Sequence, residues 1–327
     1  MEQIRFKSCL KALLVAGAAA FSLSAQAQWP GDQVIKVVVP FAAGGSTDLI
    51  ARKLAEGLGK ELKANVIVEN KAGAGGTVGS AYVARQPADG YTILMGTVST
   101  NASASCVYPS LAYDPVKDFT PLTVIATIPN VLVVNNSVKA GSLKQFVDLV
   151  QRNPDKYSFA SNGVGTSNHL AMELFLSIAG LKMIHVPYRG SGPAMIDLVG
   201  GQVSAMMDVV MTSHPYIVDK KLKGLGVTSL THSFLLPDTP TIAEQGYPGF
   251  EAMVWFGMFA PANLPADITA RLSAALSKTI HSGPVSDYLR SQGAEPSGIE
   301  SDQFRAMVVN EVKKWCEVTR KAGIKLE

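Results

Sequence analysis

The β-branched run Val34-Ile35-Lys36-Val37-Val38-Val39 leads directly into Pro40-Phe41-Ala42-Ala43-Gly44-Gly45-Ser46-Thr47-Asp48, and Leu49, Ile50, Leu54, Leu58 and Leu62 follow at helical spacing. A buried strand, a glycine turn and a helix start in that order define a βα unit. Gly44 and Gly45 let the backbone approach a guest closely, and Ser46 or Thr47 can cap the helix while its first amides point outward. Such a turn can cradle an anion. An ordinary βα connection has the same composition, so these nine residues alone leave both readings open.

The alternation repeats along the chain. Residues 65–69 read as a second strand, 70–76 as a glycine-rich loop and 77–85 as a short helix. Gly73-Ala74-Gly75-Gly76 suggests a dinucleotide fingerprint but fails it, because Val78 stands where the third glycine is required. The strand at 91–95 ends in a hydroxyl-rich loop, residues 96–101, whose Thr97 and Ser99 either reach a ligand from a strand end or cap the next helix. Two strand-like runs at 122–127 and 131–135 are split by Pro129.

The pattern then starts afresh with a helix from Ser142 and a strand at 157–160. That strand feeds Ser161-Asn162-Gly163-Val164-Gly165-Thr166-Ser167, again glycines and hydroxyls before a helix, with His169 in its first turn. Two such loops in separate βα runs imply two lobes. Further strands at 183–186 and 203–207, the latter ending at Asp208, flank a helix at 193–199. Asp208 can accept from a ligand amine or hold a helix end. Arg189, in the loop at 187–192, can pair with a ligand carboxylate or with a surface acid. A strand at 222–228 and a short helix at 241–245 precede an apolar run at 253–260, which reads as a strand crossing back to the first lobe. Helices at 266–282, 285–292 and 302–320 close the chain.

Arg5, Lys7 and Lys11, the apolar stretch at 12–23 and Ala25-Gln26-Ala27 form a secretory signal peptide over residues 1–27. The formal net charge is +3, and removal of Glu2, Arg5, Lys7 and Lys11 leaves +1 with no basic run, which argues against nucleic acid or an anionic membrane as partner. Two cysteines survive cleavage, Cys106 and Cys316; they either pair in an oxidising compartment or remain two thiols. No metal site and no cofactor are expected.

Several segments, in order along nearly the whole mature chain, resemble the Bug-type solute receptors of tripartite tricarboxylate transporters. They are Pro40-Phe41 with Gly44-Gly45 and Asp48, Val68-Glu69-Asn70-Lys71 through Gly76, and Asp89-Gly90-Tyr91-Thr92. Tyr113-Asp114-Pro115 with Asp118-Phe119, Gly163 with Gly165-Thr166 and His169-Leu170, and His185-Val186-Pro187-Tyr188 follow. Leu236-Pro237-Asp238-Thr239-Pro240-Thr241, Phe259-Ala260-Pro261 and Lys314-Trp315 complete the set.

The resemblance implies an α/β, two-lobed periplasmic binding protein fold of type II, each lobe a mainly parallel sheet flanked by helices. Lobe 1 would comprise residues 28–127 and 256–327, and lobe 2 residues 128–255. It implies a small carboxylate held by Phe41, Gly44, Ser46, Thr47 and Asp48, beside Gly45, and by Ser161, Gly163, Gly165, Thr166 and His169. Thr97, Ser99 and Asp208 join that set from their places at strand ends, and the Thr166 hydroxyl is expected to donate to the ligand. Relatives vary at Ala42, Ala43 and Arg189, so no particular ligand carries over.

The implied function is a periplasmic, monomeric receptor that delivers an organic acid or amino-acid-like carboxylate to a tripartite tricarboxylate-type permease. A sensor subunit reporting to a membrane kinase is the alternative. An enzyme is not expected: no Gly-x-Ser-x-Gly elbow is present, His169 and His185 lack metal-ligand spacing, and no paired carboxylates stand out.

Overall fold

The computed structural model describes residues 29–321 and Gly323. The signal peptide expected over 1–27 lies outside the described residues. Residues 29–31 belong to one unit, and the chain from Asp32 onward forms a second unit that holds every element below.

The strongest apolar runs become strands of one ten-stranded sheet. β1 (Ile35–Val39), β2 (Val66–Asn70) and β3 (Thr92–Thr97) are parallel, with β1 in the middle. β4 (Phe119–Asn135) runs through the whole sheet. β5 (Ser158–Ser161), β6 (Ile184–Pro187) and β7 (Ala205–Val209) form a second parallel trio, with β5 in the middle. β8 (Leu222–Val227) and the short β10 (Glu295–Pro296) pair with β4, and β9 (Met253–Pro261) lies between β3 and β4. Each half of the sheet is therefore parallel in its outer trio and antiparallel where the long strands join it.

Helices cover the sheet because each parallel pair needs a crossover. α1 (Ser46–Leu62) buries Ile50, Leu54 and Leu58, and α2 (Thr77–Ala84) returns to β3. A π-helical turn (Ser99–Ser103) continues into the short α3 (Ala104–Val107). α4 (Leu143–Arg152), α5 (Ser167–Ala179), α6 (Ser191–Val199) and α7 (Val210–Val218) serve the second half. α8 (Ala266–His281), α9 (Gly283–Ser291) and α10 (Ser301–Lys321) pack on the first half, as anticipated. Phe304 of α10 packs edge-on against Trp255 of β9, and Lys278 of α8 bridges to Glu61 of α1 at 2.8 Å.

Three local expectations are corrected. The break at Pro129 does not occur: Pro129 still pairs with Met253 of β9, and Asn130 opposes Val209 of β7, so the proline marks where β4 passes between partners. A residue with no N–H is tolerated at such a changeover. The loop at 96–101 is largely helical, since Thr100 Oγ1 bonds both the Thr97 carbonyl and Asn101 Oδ1 and closes the turn on itself. Residues 241–245 form a turn instead of a helix, because Thr241 is held in a bridge to Val227. Cys106 and Cys316, left open by the sequence, are joined with their Cα atoms 5.1 Å apart, tying α3 to α10.

Among the described residues no helix is long and apolar enough to cross a membrane.

Candidate functional site

A cavity of about 20 Å³ opens where the two halves of the sheet meet. Its wall includes Phe41, Ala42, Gly45, Ser46 and Thr47 from the start of α1, with Thr97 and Ser99 from the end of β3 and the turn after it. The opposite wall is Asn162, Ser167 and Asn168 at the start of α5, Gly190 and Ser191 at the start of α6, and Val209 at the start of α7. Val254 and Phe256 of β9 form the apolar floor.

Four helices of nine to seventeen residues thus begin at one cavity. Three of them, α1, α6 and α7, carry no side-chain cap on their first-turn amides. An uncapped helix start offers unpaired N–H groups and the positive end of its dipole, so convergent starts favour a negative guest. The Thr97 hydroxyl, on a residue 3% exposed, has no hydrogen-bond partner. An orphaned buried hydroxyl on a cavity wall is a donor in search of an acceptor.

Of the fourteen residues expected at the site, Phe41, Gly45, Ser46, Thr47, Thr97 and Ser99 line the cavity. The other eight sit outside that wall. Asp48 is turned away: its carboxylate accepts from the Gly44 amide at 3.0 Å, from Arg52 Nε at 3.0 Å and from Asn70 Nδ2 at 3.0 Å. Burial pushes the Asp48 carboxyl up, but the bonds from Arg52, Gly44 and Asn70 and the Arg52 charge outweigh it, so its pKa is lowered. Asp48 and Gly44 therefore shape the first loop and do not face the cavity.

The second loop departs further from expectation. Thr166 caps α5 by accepting from the His169 amide, and it donates to the Gly163 carbonyl at 2.8 Å. Its hydroxyl is spent inside the loop. Ser161 Oγ bonds the Gly163 carbonyl and amide, each at 3.1 Å, and meets His185 Nε2 at 2.6 Å. His169 Nδ1 accepts from the Gly165 amide at 3.1 Å, and its ring stacks on His185 with centroids 3.9 Å apart. Burial first, and then the His169 charge, push His185 down to about 3, so its imidazole is neutral at ordinary pH.

Gly163 and Gly165 are glycines for steric reasons. Gly165 has φ +74°, and a Cβ there would fall 2.5 Å from Val107 Cγ1. Gly163 has φ +132° and lies against Gly75 of the first half, 3.3 Å from where its Cβ would stand. The bonds from Ser103 Oγ to the Gly165 carbonyl (2.8 Å) and from Tyr108 to the Val164 carbonyl (2.9 Å) hold this loop to the first half of the fold. Asp208 is fully buried and accepts from Ser191 and Asn168, which themselves face the cavity. It lies behind the wall, with Ser191 and Asn168 between it and the cavity.

Asn162, Ser167, Asn168, Gly190, Ser191, Val209 and Val254 were not anticipated. Asn162 and Ser167 lie in the loop that was singled out, but its glycines and hydroxyls drew attention away from the side-chain amide. Gly190-Ser191 ahead of Pro193 carries a helix-start signal. Val209 has none, because β7 passes into α7 with no intervening loop.

The sequence and the fold have close counterparts. The family model described as "Tripartite tricarboxylate transporter family receptor" matches residues 50–324. Protein BugT of Bordetella pertussis is 36% identical over 294 residues, which span 90% of this chain and 90% of that protein. The structure of Rpa4515 from R. palustris with adipate superposes with a TM-score of 0.88 at 35% identity, covering 91% of this chain and all (100%) of that one. MatC from Rhodopseudomonas palustris with bound malate superposes with a TM-score of 0.84 at 33% identity, covering 87% and 98%. With the family model matched over most of this chain and BugT aligned over 90% of it, the chain belongs to the tripartite tricarboxylate transporter receptor family, whose members are periplasmic binding proteins.

Proposed function

We propose that this chain captures a small carboxylate-bearing solute in the cavity between its two halves and delivers it, unchanged, to a tripartite tricarboxylate-type membrane transporter. The observation that carries this reading is the convergence of four helix starts, three of them uncapped, around the orphaned hydroxyl of Thr97. A helix start contributes about 0.3–1 kcal/mol to a bound anion and up to ~2 kcal/mol when partly buried. Micromolar affinity requires roughly 8 kcal/mol. Four starts and a few charge-assisted hydrogen bonds reach that figure, whereas a single loop does not.

The ligand's carboxylate sits among Gly45, Ser46, Thr47, Thr97, Ser99, Asn168 and Ser191. At about 20 Å³ the cavity admits a group of carboxylate size. A neighbouring cavity of about 310 Å³, which shares Phe41 and Asn162 with it and carries Arg189 at its edge, has room for the rest of the molecule. The relatives with adipate and malate support a dicarboxylate as the first candidate.

In this reading residues 28–127 and 256–327 move as one lobe and 128–255 as the other, hinged where β4 and β9 cross, and closure is the signal that the membrane partner reads. The protein acts as a monomer in the periplasm after loss of residues 1–27. A thermal-shift panel of mono-, di- and tricarboxylates, including adipate and malate, against the matching neutral amides tests the reading. Stabilisation by acids and not by amides is expected. No response to any acid, or an equal response to the amides, overturns it. NMR of the bound acid recovered unaltered after prolonged incubation tests the absence of turnover.

A further inference from the structure

We propose that this site takes acids bearing an oxygen on the carbon next to the carboxylate, the 2-oxo and 2-hydroxy acids, and rejects 2-amino acids, with Asn162 as the residue that makes the distinction. The inference rests on the carboxylate reading above and names the class of acid.

In that reading the cavity of about 20 Å³ holds the carboxylate and the cavity of about 310 Å³ the rest of the ligand, and the residues lining both are Phe41 and Asn162. The carbon next to the carboxylate therefore passes between that ring and that amide. What Asn162 presents there decides which substituent the carbon can carry.

A closed ring of hydrogen bonds holds Asn162 in one orientation. Its Oδ1 accepts from Ser191 Oγ at 3.1 Å, and its Nδ2 donates to Asn168 Oδ1 at 2.6 Å. Asn168 Nδ2 lies 2.9 Å from the Met207 carbonyl and 3.1 Å from Asp208 Oδ1, which in turn lies 2.9 Å from Ser191 Oγ. Reversing Asn162 alone sets oxygen against oxygen at Asn168, and reversing both amides sets the Asn168 oxygen against the Met207 carbonyl. Only one orientation fits. Among the described residues nothing takes the second Nδ2 hydrogen of Asn162, so it is left for the ligand.

The same ring leaves no anion for an ammonium group. Ser191 has one hydroxyl hydrogen and stands between two acceptors, Asn162 Oδ1 and Asp208 Oδ1; the second link needs a proton that only Asp208 can carry, so Asp208 is a neutral acid before any ligand enters. Its full burial, which pushes the carboxyl up, acts in the same direction. Among the described residues no acid lines either cavity, and the one charged side chain that does is Arg189, a cation. An oxygen on the carbon next to the carboxylate accepts the free Asn162 hydrogen. An ammonium in its place meets an N–H where it needs an acceptor, and gives up its water with no counter-charge in return.

Calorimetric titration at pH 7 tests the proposal with two matched series: glutarate, 2-hydroxyglutarate, 2-oxoglutarate and glutamate, then pentanoate with its 2-hydroxy, 2-oxo and 2-amino derivatives. In whichever series binds, the oxygen-bearing acids are expected to bind about tenfold tighter than the unsubstituted acid and about a hundredfold tighter than the amino acid. Asn162→Ala is expected to bring them within about threefold of the unsubstituted acid and to leave the amino acid weakest. An amino acid or an unsubstituted acid that binds as tightly as its oxygen-bearing analogues overturns the proposal, and so does an unchanged preference in Asn162→Ala. If that variant fails to fold, the two series on the wild type decide together with carboxyl 13C NMR of the free protein at pH 7: Asp208 must read as protonated, and an ionised signal overturns the proposal. If no acid of either series binds, and adipate and malate fail as well, the carboxylate reading itself falls. Acids that bind without regard to the substituent leave that reading standing and remove only the distinction drawn by Asn162.

Discussion

The loops at 40–48 and 161–169 look alike as strings: each places glycines and hydroxyls between a strand and a helix. In the folded chain they do different work. The first leaves the start of α1 without a side-chain cap, and Gly45, Ser46 and Thr47 face the cavity. The second spends Thr166 on capping α5, Ser161 on Gly163 and His169 on Gly165, and turns Asn162, Ser167 and Asn168 toward the cavity instead. A helix start is available to a ligand only where the chain has not already satisfied it, and satisfaction is a matter of side-chain geometry.

The strongest tie near the second loop is covalent. Cys106–Cys316 ties α3 to α10, next to Ser103 and Tyr108, which bond the carbonyls of Gly165 and Val164 in the second loop. Replacing both cysteines by serine is expected to cost about 2–5 kcal/mol in urea unfolding, with ligand affinity measured in native buffer nearly unchanged. A matching loss of affinity would mean that the bridge also shapes the cavity.

Thr97→Val probes the cavity wall with little change of shape. Affinity for a carboxylate is expected to fall by about 1.5–3 kcal/mol, the worth of a hydrogen bond to a charged group. Stability of the free protein should stay level or rise, since a buried hydroxyl without a partner is removed. Calorimetric titration and urea unfolding of the same preparation check both signs.

Thr166→Val should show the opposite pattern. Loss of the cap and of the bond to Gly163 is expected to reduce stability by about 1 kcal/mol, with carboxylate affinity within twofold, roughly 0.4 kcal/mol, of wild type. If affinity falls and stability does not, the two loops act alike after all.

The smallest effect belongs to Asp48. A folded-state pKa below the ordinary 3.8 means that Asp48 stabilises the fold above that value, and that the contribution is lost as pH falls through the lowered folded value. Urea unfolding from pH 6 down to the acid limb should therefore decline less steeply in Asp48→Asn than in the wild type, and parallel curves would remove Asp48 as the pin of the first loop.

Much of this molecule was legible as pattern. The β-branched runs around Val37 and Ile93 and the apolar spacing of Leu54 and Leu58 or of Phe304, Val308 and Trp315 mark their elements because burial on one face repeats with the period of the backbone. The return of residues 253–260 to the first half and the glycine turns at the heads of α1 and α5 were legible too. What misled was local punctuation. Pro129 looked like a break because a proline cannot donate to a ladder, yet β4 needs no donor at the point where it exchanges β9 for β7.

By itself the sequence determined the alternation of strands and helices, the two glycine-rich turns and the family, since each is carried by residue type at a fixed spacing along the chain. Only the tertiary structure decided which polar groups are spent and which are free. Thr97 is orphaned, Thr166 is occupied and Asp208 is sealed behind Ser191 and Asn168 because hydrogen bonds are made between atoms brought together from distant segments. The availability of a donor depends on those neighbours, and neighbours are not written in the order of the chain.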